Sequence, residues 1–93
     1  MKVIYKYQLH IGFPTALYFP NKGKIVKFGI QNGYPMAWVE IDHDQKLPDS
    51  IQYFVVGTGI DFDDNGFEYF DSVIDAVNGF VWHMYVLKGK ENA

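Results

Sequence analysis

The sequence predicts an all-β domain, a small antiparallel sandwich or barrel of about seven short strands. Three observations point there. Polar and apolar residues alternate along most of the chain, the period of a half-buried strand. Turn signals recur at roughly 8–14-residue intervals. An Asn-Gly pair, Asn32-Gly33, sits between two alternating segments, and such a pair favours the positive φ angles that a two-residue hairpin turn needs.

The elements follow in order. VIYKYQL (3–9) sets Val3, Tyr5, Tyr7 and Leu9 on one face, with Lys6 and Gln8 on the other. Gly12 and Pro14 mark a bend before ALYF (16–19), which Pro20 closes. KIVKFGI (24–30) and MAWVEID (36–42) flank the QNGYP turn and form a hairpin. Pro35 opens the return strand, where a missing N–H is tolerated. HDQKLPDS (43–50) is a polar loop, and IQYFVV (51–56) is a strand broken by Gly57-Thr58-Gly59. FEYFDSVI (67–74) reads as a strand. The alternative is a short helix near 71–77, with Asp71 as N-cap and Asn78-Gly79 as its stop. FVWHMYVLK (80–88) is apolar at nearly every position, so it belongs in a sheet centre with both faces covered. Residues 89–93 read as a flexible tail, and residues 1–93 as a single domain.

Composition bounds the function. The chain has 93 residues, a formal net charge of −3, no cysteine, and 18% aromatic residues. Thiolate chemistry and disulfides are excluded. No apolar run reaches the roughly 18–20 residues of a spanning helix, and the start of the chain lacks a signal-peptide apolar block. The expected setting is soluble, cytoplasmic, without a membrane. Lysines dominate residues 1–39, which hold no acid, whereas residues 40–75 hold ten acids and one lysine, Lys46. Either this asymmetry marks an interaction surface, or strands fold back and mix the charges. There is no arginine, the preferred fork for phosphates and base edges, so duplex nucleic acid is not an expected partner. Aromatic-rich edge strands need cover, and a second copy of the chain is the expected cover.

The candidate sites are few. Asp61, Asp63 and Asn65 fall at positions 1, 3 and 5 of a calcium loop, with Gly66 at position 6. Position 12 is Ser72, not the bidentate Glu that completes the shell, so a strand-connecting turn is the stronger reading. Gly57-Thr58-Gly59 offers backbone amides that can form an anion nest, or simply ends a strand. His83, between Trp82 and Met84, reads as a core histidine or as a polar group at the mouth of an aromatic pocket. The histidines lack zinc spacing, and Ser50 and Ser72 sit in no nucleophile elbow. No catalytic residue, metal or cofactor is assigned.

Several segments occur in a definite order: KVIYKYQL, QNGYPMAW, VVGTG, EYF and VWHMYVL. Together they resemble a family of short proteins of unassigned function encoded by tailed phages and prophages. Its members begin Met-Lys-x-Ile-x-Lys-Tyr and carry Gln-x-Gly-x-Pro-x-x-Trp, Gly-Thr-Gly and Val-Trp-His. The resemblance spans nearly the whole chain and falls on Tyr7, Gln31, Gly33, Pro35, Trp38, Gly57, Thr58, Gly59, Tyr69, Trp82 and His83. Relatives often carry a histidine after Gly-Thr-Gly, where this chain has Ile60. The resemblance implies a phage or prophage setting, with a counter-defence role by analogy of context and size.

The expected function is a non-enzymatic, homo-oligomeric binding protein. In that reading Tyr34, Trp38 and Trp82 stack a flat nucleotide-like ligand. The amides of Gly57, Thr58 and Gly59 meet its phosphate with Lys27, and His83 orients it. The alternative is a module that docks on a host protein through the acidic stretch, or a minor virion component.

Overall fold

Alternation resolves into seven strands, all antiparallel to their neighbours. The structure is a computed structural model describing residues 1–87; the tail expected over 89–93 lies outside the described residues. The strands are β1 (Lys2–Gln8), β2 (Thr15–Phe19), β3 (Gly23–Gln31), β4 (Tyr34–Asp42), β5 (Asp49–Gly57), β6 (Phe67–Asp75) and β7 (Phe80–Leu87). They form a three-stranded sheet in the order β1-β4-β3 and a four-stranded sheet in the order β2-β5-β7-β6. The result is an open sandwich rather than a closed barrel.

The β3–β4 hairpin turns on Asn32 and Gly33, at φ 54° and 83°, as the Asn-Gly signal predicts. Only glycine occupies such a φ without cost. Gly33→Ala is therefore expected to destabilise the fold by about 1–2 kcal/mol, read as a lowered urea midpoint at unchanged slope.

Alternation also selects the core. Ala37, Val39 and Ile41 of the central strand β4 are fully buried, as are Val55 of β5 and Met84 of β7. Leu9, Phe19, Phe28 and Tyr53 complete the cluster. Each large side chain sealed in this way contributes about 1.5–3 kcal/mol. The apolar run predicted to be central is β7, which lies between β5 and β6.

The short helix considered near 71–77 does not form. Val73 and Ile74 pair with Trp82 and Val81 in the β6–β7 ladder. The Asp71 carboxylate accepts the N–H of its neighbour Ser72 instead of capping a helix. The turn that follows is organised by Asp75. Its carboxylate accepts from the Val77 and Asn78 backbone amides at 3.1 and 3.2 Å and from the Asn78 side chain at 2.8 Å.

Two β-bulges interrupt the ladders, at Val26 in β3 and at Phe70 in β6. Both strands are sheet edges and lie alongside each other. A bulge twists an edge and blunts its readiness to pair.

Candidate functional site

Period-two alternation divides the predicted site residues among three places. Trp38 and Tyr34 lie on the outer face of the three-stranded sheet, because Ala37, Val39 and Ile41 take the inner one. Lys6 of β1 and Lys27 of β3 are the cross-strand partners of Trp38. The indole is half-buried, with the Lys27 ammonium 6.0 Å from its ring centroid. Lys6 donates to the Gln31 side chain on the same face. Gly29 makes room for the ring: a Cβ there would stand 3.2 Å from it. The bulge at Val26 shifts the phase of β3 and brings Lys27 onto this face.

Gly57, Thr58 and Trp82 gather at one end of the four-stranded sheet, in a cleft of about 400 Å³ shared with Ile60, Phe80 and Val81. Trp82 also leans on the main core and pairs with Phe80 at 5.7 Å between centroids. The cleft is lined by apolar groups, glycines and one hydroxyl, with no cation. Of the amides expected to form an anion nest, that of Thr58 is engaged within the fold. Thr58 N–H donates to the Val81 carbonyl, and Ile60 N–H donates to that of Gly57. Gly59, at φ 88°, completes the turn. Gly57-Thr58-Gly59 thus ends β5 in a turn, the other reading its glycines allow. At the opposite end of this sheet, a cleft of about 240 Å³ among Ile25, Ser50, Phe70 and Val86 holds none of the predicted residues.

His83 is not in the core, and of the other candidates it meets Thr58. It points outward from β7 and forms a rung across three strands. Its Nδ1 lies 2.7 Å from Ser72 Oγ and its Nε2 2.7 Å from Thr58 Oγ1. Ser72 Oγ in turn meets the Tyr69 hydroxyl at 2.8 Å. Both ring nitrogens are occupied, so the imidazole ties β6, β7 and the Gly57–Gly59 turn together. No spacing rule pairs positions 58, 72 and 83; only the strand register reveals them.

Beside this rung lies a second apolar cluster, again on the outer face. Phe54, Val56 and Phe67 are buried there with Tyr85 and Leu87. Phe54 and Tyr85 stack at 5.0 Å with planes 3° apart. Phe62, from the loop after Gly59, closes over both rings. The sequence places Phe62 in an acidic segment, where its packing role is invisible.

That acidic segment is a turn. Asn65 and Gly66 take φ 48° and 87°, and Phe67 N–H bonds to the Asp64 carbonyl at 2.7 Å. Asp63 accepts the Asn65 N–H at 3.1 Å. Asp61, Asp63 and Asn65 do not converge on a common point, and among the described residues no group of three or more His, Cys, Asp or Glu could hold a metal ion.

Strand folding mixes some of the segregated charge. Lys2 and Lys24 flank Glu40 on the outer face of the three-stranded sheet, and the Lys2 ammonium reaches Glu40 at 3.1 Å. The acids of residues 40–75 are scattered among this face, the loops, the start of β5 (Asp49), β6 (Glu68 and Asp71) and the buried Asp75, so they do not build one acidic surface. Among the described residues no helix is long and apolar enough to cross a membrane.

No curated protein and no solved structure matches the chain. A family model matches residues 1–93, the whole sequence. The chain therefore belongs to the family described as Domain of unknown function (DUF7352).

Proposed function

We propose that the chain is a non-enzymatic binding protein that captures a nucleotide-like ligand on the outer face of its three-stranded sheet. The observation that carries this reading is the indole of Trp38 set between Lys6 and Lys27. An aromatic platform beside cations is the arrangement that stacks a base and neutralises its phosphate. The predicted set is reduced accordingly. Trp38 and Lys27 keep their roles, Lys6 joins them, and Tyr34 borders the platform. Trp82 and His83 act elsewhere in the fold. The resemblance to tailed-phage proteins supplies the setting, in which a stoichiometric sponge for nucleotide-derived immune signals in the host cytoplasm needs binding but no chemistry.

A panel of nucleotides, cyclic nucleotides and ADP-ribose derivatives tests the reading by thermal shift and calorimetry. A ligand at 100 times its Kd adds about 2.7 kcal/mol of stability, a rise of roughly 10–20 °C in melting midpoint for a domain of this size. Trp38→Ala is expected to weaken binding roughly 5- to 150-fold, the worth of one stacked base. Lys27→Ala and Lys6→Ala lower affinity and flatten its salt dependence. No shift with any member at ~1 mM overturns the reading.

A second reading is a module that docks on a host protein. What favours it is the apolar cluster on the outside of the four-stranded sheet. Pull-down from host lysate with a single stoichiometric partner is its expected signature.

A further inference from the structure

We propose that the outer face of the four-stranded sheet is where two copies of the chain pair face to face. The inference is independent of the nucleotide-binding reading, which concerns the opposite face of the sandwich.

Its first support is compositional. The outward residues of β2, β5, β7 and β6 occupy positions 16 and 18, alternate positions from 50 to 56 and from 81 to 87, and positions 67, 69, 72 and 74. None is Asp, Glu, Lys or Arg. The outer face of the three-stranded sheet, by contrast, carries Lys2, Lys6, Lys24, Lys27, Glu40 and Asp42. An antiparallel sheet face turned to water normally reads polar. A face depleted of charge and rich in aromatic rings has the composition of an interface core. Burying it strands no ion.

The second support is exposure. A cluster on this face already buries Phe54, Val56 and Phe67. Around it Tyr18 (74%), Ile74 (67%), Tyr69 (57%) and Phe62 (47%) still face solvent.

The third support concerns the occupant. In a twofold contact the same patch supplies both sides, so a charged patch tends to meet its own sign. This face has no charge to oppose, whereas the other outer face sets four lysines against two acids and would repel a copy. Area agrees as well. Four strands about 4.8 Å apart, of five, nine, eight and nine residues, give a flat footprint of roughly 500 Å². Side-chain relief enlarges it toward the ~800 Å² per partner of a stable interface. The domain measures 41 × 29 × 15 Å, so the two outer faces are its broadest surfaces. Asp61, Asp63 and Asp64 lie on the loop that lays Phe62 across the face. These stay in water, and salt screens their mutual repulsion.

Sedimentation and light scattering decide it. At ~0.1 mM the wild type is expected at twice the 10.7 kDa chain mass, and association is expected to tighten as salt rises. Ile74→Lys and Phe62→Glu, both at solvent-facing positions, are each expected to weaken association at least 10-fold while circular dichroism and cooperative melting persist. Trp38→Ala and Lys27→Ala, on the opposite face, are expected to leave the dimer intact. A wild type at single-chain mass at that concentration overturns the proposal. So does a dimer indifferent to both charge substitutions, or a monomer that captures a host protein through this face.

Discussion

Replacing Tyr53 with alanine is expected to remove about a fifth or more of the stability of the domain. The side chain is 1% exposed and sits within the main cluster between the sheets. Emptying such a site costs about 3–5 kcal/mol, against a total of roughly 5–14 kcal/mol for a chain of this length. Tyr53 also joins the sheets by a polar contact. Its hydroxyl accepts the His10 N–H at 2.8 Å, just where the chain leaves β1 and crosses toward β2. Truncation therefore opens a cavity and leaves a crossover amide without its partner. Tyr53→Phe isolates the polar part and is expected to cost about 1–2 kcal/mol. Burial raises the phenol above its ordinary pKa of 10.0, against the smaller opposing effect of the His10 hydrogen bond. A raised folded value means that the native state holds its proton more tightly. The associated stability is full below pH 10 and is lost as pH rises through the folded value. Urea titrations at pH 8 and above pH 10 should show a larger loss in wild type than in Tyr53→Phe, which retains the raised phenol of Tyr7.

Asp75→Ala is expected to lower the melting midpoint by on the order of 5–10 °C, because three donors lose their acceptor at once. The carboxylate is 3% exposed and satisfies the whole 75–79 turn. Its pKa is held below the ordinary 3.8, chiefly by the Asn78 side chain, then by the Asn78 and Val77 amides. A depressed folded value makes the contribution full above the unfolded pKa and lost as pH falls through the folded one. The gap in midpoint between wild type and Asp75→Asn should therefore be widest near neutrality and close below pH 3.8. A gap that stays constant down to pH 2.5 would show that the charge of Asp75 does not hold this turn.

The elements best legible in the sequence are those whose signals are local. Asn32-Gly33 determines a turn by itself, and so does Asp64-Asn65-Gly66. Strict alternation marks β1, and the unbroken apolar run marks β7 as central. The site is less legible because it depends on register between distant strands. Thr58, Ser72 and His83 meet only once β5, β6 and β7 are aligned. Lys27 reaches the face of Trp38 only because Val26 bulges, and a period-two reading cannot foresee a dropped beat. The same reading grouped Trp38 with Trp82 on chemical likeness, yet strand parity turns one toward solvent and the other toward the core.

The bulges at Val26 and Phe70 bear on what kind of assembly the chain can build. Both kink adjoining borders of the sandwich, so lateral recruitment of further strands is blocked on that flank. Growth by sheet extension is left only the short β2 and the lysine-bearing β1. A twofold stack of broad faces, once made, has no unsatisfied side to offer a third copy. The architecture thus favours a small, finite particle over a polymerising filament.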